Sequence, residues 1–445
     1  FYVVLPLFEG ATVTSDGLLD APAGADSIYA IDEYAEIGLR SDPRGRYQFF
    51  AIDGGHSLLE GQLGNTDGAL LVAGAPSSRS LFLATQSGGV LVAMAEYAIS
   101  YPQDKRVVTP SVRYPLGEDP IEVDERGQAL RLLAGEWNDE QTTLAAVTAD
   151  GRVVVVGLVQ ETSMFDDEVS VTASRGELDL NGNDISHVAI DIDQRELFLV
   201  TNDGALLLYN IINPAAPVLV DRTNVVSNNT TVTALAVLSG GISVLIGDSD
   251  GGIAQWFPVR DENNNYTLAK VREFEPLASS IARIAPEHYR KAFAAIDSDG
   301  HLGLYHTTAG KRLLVHNTEQ RNAVALLMSP RADAALAMAG SGTIERLAID
   351  NEHPEVSAQA LWGEVWYESR DQPEYIWQSS SASSAFEPKF SLTPLTFGTF
   401  KATFYSMLFA IPLAVVVQAV LGAWPRTNPG SESPPEPASE PGPVA

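Results

Sequence analysis

The chain has 445 residues, of which 28 are basic and 57 acidic, for a formal charge of −29. That field disfavours nucleic acid and anionic lipid as partners, and it also makes the soluble part a poor trap for phosphate. The absence of cysteine excludes disulfides and thiolate metal centres.

An apolar octet, FYVVLPLF (1–8), opens the chain and is followed by Glu9. From residue 20 to 355 no long 3.6-residue apolar period occurs. Short aliphatic runs are broken instead by Gly, Asp and Asn, as strands and tight turns require. One unit recurs: an apolar strand, a polar turn ending in Gly, and a second apolar strand. It is read at 47–59, 80–93, 143–156, 196–209, 242–256, 291–305 and 334–347, with turn glycines Gly55, Gly89, Gly151, Gly204, Gly252, Gly300 and Gly342. These lie 34, 62, 53, 48, 48 and 42 residues apart. Such spacing predicts an all-β fold, a seven-bladed WD40-like β-propeller over 20–355. The short first interval and long second one leave six or eight blades open, and a pair of β-sandwiches is the competing architecture.

Residues 356–390 read as an aromatic, Ser-rich juxtamembrane linker. Trp362, Trp366, Tyr367, Tyr375 and Trp377 either form a collar at the headgroup level or close the last blade. The serine run 379–384 serves as a flexible link. Residues 391–424 are predicted to be an interfacial segment, ending near Phe397, and then a transmembrane helix. Phe404–Trp424 holds 21 residues without Asp, Glu, Lys or Arg, bracketed by Lys401 and Arg426. Pro412 implies a kink or local unwinding there. The Pro- and Glu-rich end, 425–445, is expected to be disordered.

The words of 362–414 resemble a known family. They run W-x-x-x-W-Y from Trp362, then PEYIWQSS (373–380), FEPKFSL (386–392), PLTFGT (394–399) and KATFYSMLFAIPLA (401–414). This resembles the C-type permease subunit of the bacterial phosphate-specific (Pst) ABC transporter. The resemblance implies that 1–8 end a first transmembrane helix and that the body is an extracytoplasmic insert. It implies a bacterial inner-membrane protein, mostly periplasmic, with a sister permease subunit, a cytoplasmic ABC ATPase and a periplasmic phosphate-binding protein as partners. The chain departs from the family after Ala414, where further membrane helices would follow, and so reads as incomplete.

No chemical constellation stands out. DSDG at 248–251 and 297–300, and DLNGND at 179–184, offer oxygens to calcium, but none completes a twelve-residue loop, and Asp-Gly suits a plain turn. Histidines at 56, 187, 288, 301, 306, 316 and 353 show no ligand spacing; His301 and His306 would face opposite sides of a strand. Serine-elbow and nucleotide-loop motifs are missing. Acidic pairs such as Asp166/Asp167 and Asp191/Asp193 arise by chance in so acidic a chain. The expectation is therefore no catalytic, cofactor-binding or metal residues and no enzyme. The leading functional expectation is a partial subunit of an ATP-driven phosphate importer, with the propeller docking or regulating neighbouring subunits and the helix in membrane lipid. The alternative is a membrane-tethered propeller scaffold for protein assembly, or less favourably a propeller enzyme.

Overall fold

The computed structural model describes residues 10–19, 27–64, 71–162, 169–178, 180, 182–227, 229–380 and 387–424. The expected helix end at 1–8 and the tail at 425–445 lie outside these residues, as do 381–384 of the serine run. The chain divides into two compact units, one ending at Ser391 and the other beginning at Leu392.

The first unit is a seven-bladed β-propeller. Its blades occupy 27–62, 71–122, 130–178, 185–224, 232–274, 281–317 and 323–350, each an antiparallel meander numbered here from the innermost strand outward. The middle strands are buried on both faces and so read as continuous apolar runs. AFAAID (Ala292–Asp297) and AALAMA (Ala334–Ala339) are buried at every position. The outer strands alternate, as in YTLAKVREF (Tyr266–Phe274). In every blade but the second, the pairing of first and second strands shifts register near its start, for instance at Ile28/Ala30 and Ile281/Arg283. Bulges there increase local twist where the strands crowd the axis.

There is no single core. Seven apolar clusters each lie between two adjacent blades, such as Leu39, Phe49, Leu81 and Leu91 between blades 1 and 2. Closure comes from the N-terminal side. Thr12–Leu19 supplies the outer strand of blade 7, pairing from Thr12↔Asp350 to Leu19↔Ile344. The propeller therefore starts before residue 20, the boundary expected from sequence. A strand that pairs with a partner over 300 residues away carries no local signal.

The turn between second and third strands has one form throughout the ring. A glycine with positive φ donates its N–H to the carbonyl three residues earlier at Gly45, Gly88, Gly151, Gly204, Gly251, Gly300 and Gly342. This corrects the phase of the sequence reading. Gly55 lies in the third-to-fourth-strand turn of blade 1, while Gly45 is the equivalent of the others, so the 34-residue interval is a misregistration. The long second interval is real. In blade 2 the third strand runs Gly89–Ser100, and its partner is split into Val107–Arg113 and Ile121–Glu122. These glycine turns and the connections between blades share one end of the ring, the glycine end. The first-to-second and third-to-fourth-strand turns share the other, called the strap end below.

In the second unit, α2 (Thr393–Ala423) is one helix of 31 residues with none buried. At 1.5 Å per residue it is about 46 Å long, enough to cross a bilayer. The segment before Phe397, expected to lie apart, is its first turns. Pro394 occupies the first helical turn, where a missing N–H loses no hydrogen bond, and the helix continues through Pro412.

Substitutions at two left-handed glycines separate backbone strain from crowding. A Cβ at Gly251 (φ +87) meets the carbonyl oxygens of Leu277 and Ser279 at 2.4 and 2.7 Å, whereas at Gly117 (φ +93) it meets nothing within 4 Å. Gly117→Ala is expected to lose about 1 kcal/mol and Gly251→Ala about 3 kcal/mol or more. Urea unfolding of the full chain in detergent measures both, and equal losses would refute the crowding argument.

Candidate functional site

Two features converge on the strap end. The first is a cavity of about 370 Å³ on the propeller axis, walled by the innermost strands of blades 2 to 7. Its walls are mostly Ala, Leu, Val and Ile, but Glu136, Glu287 and His288 stand where those strands reach their turns. Ser77 Oγ donates to Glu136 at 3.2 Å. Burial, reinforced by the charge of Asp191, pushes the Glu136 carboxyl up to about 8. Burial also raises Glu287, opposed by Arg290, whose Nε donates to Glu287 Oε2 at 2.6 Å. His288 is lowered by burial and then by Arg79.

The second feature is the C-terminal strap, whose described residues, 351–380 and 387–391, pack on blades 5 and 6. Its short helix α1 (Ala358–Trp362) is capped by Ser357, whose Oγ accepts from Ala360 N at 3.0 Å and donates to Ala309 O at 2.9 Å. Beyond it, Val365 and Glu374 form a two-residue bridge, and Trp377–Gln378 pairs with Lys389–Phe390. Leu361, Val365 and Tyr367 are buried. Trp366 meets Phe257 edge-on at 6.0 Å, and its carbonyl accepts from Arg272 Nη2 at 2.6 Å.

Charges fix the strap at its centre. Glu368 accepts from Ser243 Oγ and from Lys291 Nζ, an ion pair with side chains about 10% exposed or less. Gln255 bridges Ser243 and Arg272. Removing one member would leave an uncompensated enclosed charge, a loss of about 3–5 kcal/mol. Glu387 sits beside this group. Burial first, then the charge of Glu368, pushes it up to about 7. His306, fully buried nearby, is driven down to about 3 by burial and stays neutral, accepting from Ala309 N at 3.2 Å.

The sequence candidates fall elsewhere. Asp248 Oδ1 and Asp297 Oδ1 each accept two backbone N–H groups of their own turns, as hairpin residues do. Asp191 Oδ1 likewise accepts from Arg195 and Glu196. Residues 179 and 181 of DLNGND and the pair Asp166/Asp167 lie outside the described residues. Among the described residues no cluster of three or more His, Asp or Glu side chains is placed to hold a metal. The aromatics at 362–377 neither close a blade nor stand apart; Trp366 and Tyr367 pack into the strap. Glu136, Lys291, Arg272, Glu368 and Glu387 had no sequence signal, since no motif or spacing joins them.

Glu387 makes strap docking pH-dependent. Its folded pKa is raised above the ordinary carboxylate value, so its contribution is complete below about 4.5 and is lost as pH rises through about 7. Amide exchange in residues 358–376, corrected for the intrinsic rate, is expected to accelerate severalfold from pH 6 to pH 8.5. Glu387→Gln should flatten that rise, and an unchanged profile in the variant would disprove the assignment.

No family model and no curated protein matches the chain. Solved structures do. The β-propeller domain of Myceliophteria thermophila Cps50 (Swd1) is 12% identical, with 76% of this chain and 99% of that chain covered and a TM-score of 0.50. A chain from the crystal structure of a mitotic checkpoint complex is 13% identical over 75% and 93%, with a TM-score of 0.48. These findings overturn the permease resemblance of residues 362–414. What matches is a WD40-like propeller, and nothing in the comparisons carries a permease identity. Phosphate transport, the sister permease, the ABC ATPase and the phosphate-binding protein lose their support with it, and so does the periplasmic placement drawn from it. At these identities the likeness is one of fold: the chain is a WD40-like seven-bladed propeller followed by an apolar helix long enough to cross a membrane.

Proposed function

We propose that the chain is a membrane-tethered β-propeller that serves as a docking scaffold for other proteins, without a reaction of its own. One observation carries this reading: a closed ring is joined through a packed, charge-fixed strap to a 31-residue apolar helix. Such a helix has no use for water, and membrane lipid covers it at about 25 cal/mol per Å². The likeness to a solved β-propeller domain supports this reading by analogy of fold alone. The glycine end offers the docking surface. Exposed carboxylates stand on its turns at Glu125, Asp150, Asp203, Asp250 and Asp299, so the partner this end fits presents basic side chains.

In alkaline carbonate the full chain is expected to stay with membranes, and a chain ending at Ser391 to be released in folded form. A photo-crosslinking residue at 203 or 250 of the full chain, in its native membrane, should trap a discrete protein, with yield falling severalfold between 0.1 and 0.5 M salt. Release of the full chain by carbonate refutes the tether. A retained chain that forms no adduct at either position refutes the scaffold.

A further inference from the structure

We propose that the axial cavity is a binding site for a small organic cation: a primary amine with a compact apolar body, its ammonium held by Glu136 and Ser77. The site belongs wholly to the propeller unit, so the inference stands apart from the scaffold and tether readings. Three observations carry it.

The first is an apolar wall that borders open space. Val188, Leu235, Ile284 and Met328 lie on the innermost strands of blades 4 to 7. Each packs on one of the clusters between blades, yet each is only half-buried, because it also lines the cavity. The second strands behind them are enclosed throughout, as at Ala292–Asp297. The cavity, about 370 Å³, falls at the lower end of the range of about 300–1,000 Å³ for ligand pockets, which set a few polar groups in mostly apolar walls.

The second is the set of polar groups where that wall reaches the strap end. Glu287 is satisfied, since Arg290 donates to its Oε2 from Nε at 2.6 Å and to its Oε1 from Nη2 at 3.1 Å. His288, lowered by burial and then by Arg79, is neutral at pH 7 and stands edge-on to Tyr289 at 4.3 Å. Lys291, beside Gly240 on the wall, is held by Glu368 and by Ser239 O. Glu136 differs from all of these. Ser77 Oγ, with a single proton to give, lies 3.3 and 3.2 Å from its two carboxyl oxygens. Among the described residues Glu136 has no basic partner. A carboxylate accepts about four hydrogen bonds and an ammonium donates about three, so an amine supplies the donors that this enclosed acid lacks.

The third is the charge around that mouth. The turns between first and second strands expose Glu33, Glu36, Asp139, Glu140, Asp193 and Asp333, against Arg79, Arg195 and Arg331. Glu36 is paired with Arg106, and Asp333 with Arg331. The rim thus draws cations weakly and repels anions, while recognition falls to the interior. There, burial and then the charge of Asp191 hold the Glu136 carboxyl protonated up to about 8. Burial also raises Asp191 to about 6 and Glu196 beside it to about 7. At pH 7 the cavity therefore presents a neutral acid, and the ammonium enters as that proton leaves to solvent. Affinity rises with pH, about tenfold per unit below about 8, and falls above about 10 where the amine loses its own charge.

Titration calorimetry of the full chain in lipid nanodiscs, with empty nanodiscs as the blank, tests this with 2-phenylethylamine. At pH 8 the amine is expected to bind at least tenfold more tightly than 2-phenylethanol or 3-phenylpropionate, and its affinity to fall about tenfold by pH 6.5. Buffers of different ionisation heat should show nearly one proton released per amine bound at pH 7. Glu136→Gln should weaken amine binding at least tenfold at pH 8 and remove the pH slope. Ala236→Leu, which fills the cavity and keeps the carboxyl, should weaken it as well. The ligand comparison and the proton count need no variant, so they decide even if a variant fails to fold. No amine binding at millimolar concentration, equal binding of the alcohol, or unchanged binding in Glu136→Gln overturns the proposal. A short lysine peptide that binds where the free amine does not would show a protein ligand, which also overturns it.

Discussion

Everything in this molecule depends on each blade having two apolar faces. A four-stranded sheet with both faces buried cannot be satisfied by one neighbour, so blades are stable only in a closed circle. The seven clusters between blades are the material form of that constraint. Closure must be made somewhere, and it is made at Thr12–Leu19 against Ile344–Asp350. Arg346 and Asp16 pair across this seam at 2.7 Å. The strap end and the glycine end acquire their separate characters only because the ring is complete.

The fold was legible where local chemistry repeats. A left-handed glycine closing a four-residue turn can be read from sequence because few residues tolerate that backbone. The oxygen that steadies the turn is equally plain: Asp42, Thr148, Thr201, Asp248 and Asp297 each accept a backbone N–H four residues on. Blade 1 was misphased because Asp-Gly-Gly at 53–55 imitates that signal one strand too late. The closing strand and the divided outer strand of blade 2 were not legible, since both are defined by partners and not by their own composition.

The site was scarcely legible at all. Lys291 and Glu368 lie 77 residues apart, and Ser243 and Glu368 lie 125 apart. No spacing rule joins such residues; only the ring and the returning strap do. The tryptophans of 362–377 were conspicuous for their residue type, which suggested a lipid contact, while the fold uses Trp366 against Phe257 and Arg272. Similar wording over a short segment also proved a weak guide to identity beside a likeness that spans three-quarters of the chain.

The route of the strap has a mechanical consequence. It begins just past Asp350, the residue paired with Thr12 at the seam. Tension on the C-terminal side, transmitted straight along the backbone, would peel that pair first and open the circle like a zip. The strap instead is hooked to blades 5 and 6 through Glu368, the Trp366 carbonyl, Asp371 and Ser357. A pull on the helix is thus met in shear by two interior blades several contacts before it reaches the closure. The molecule can be tugged by its C-terminal helix while the closing seam stays slack.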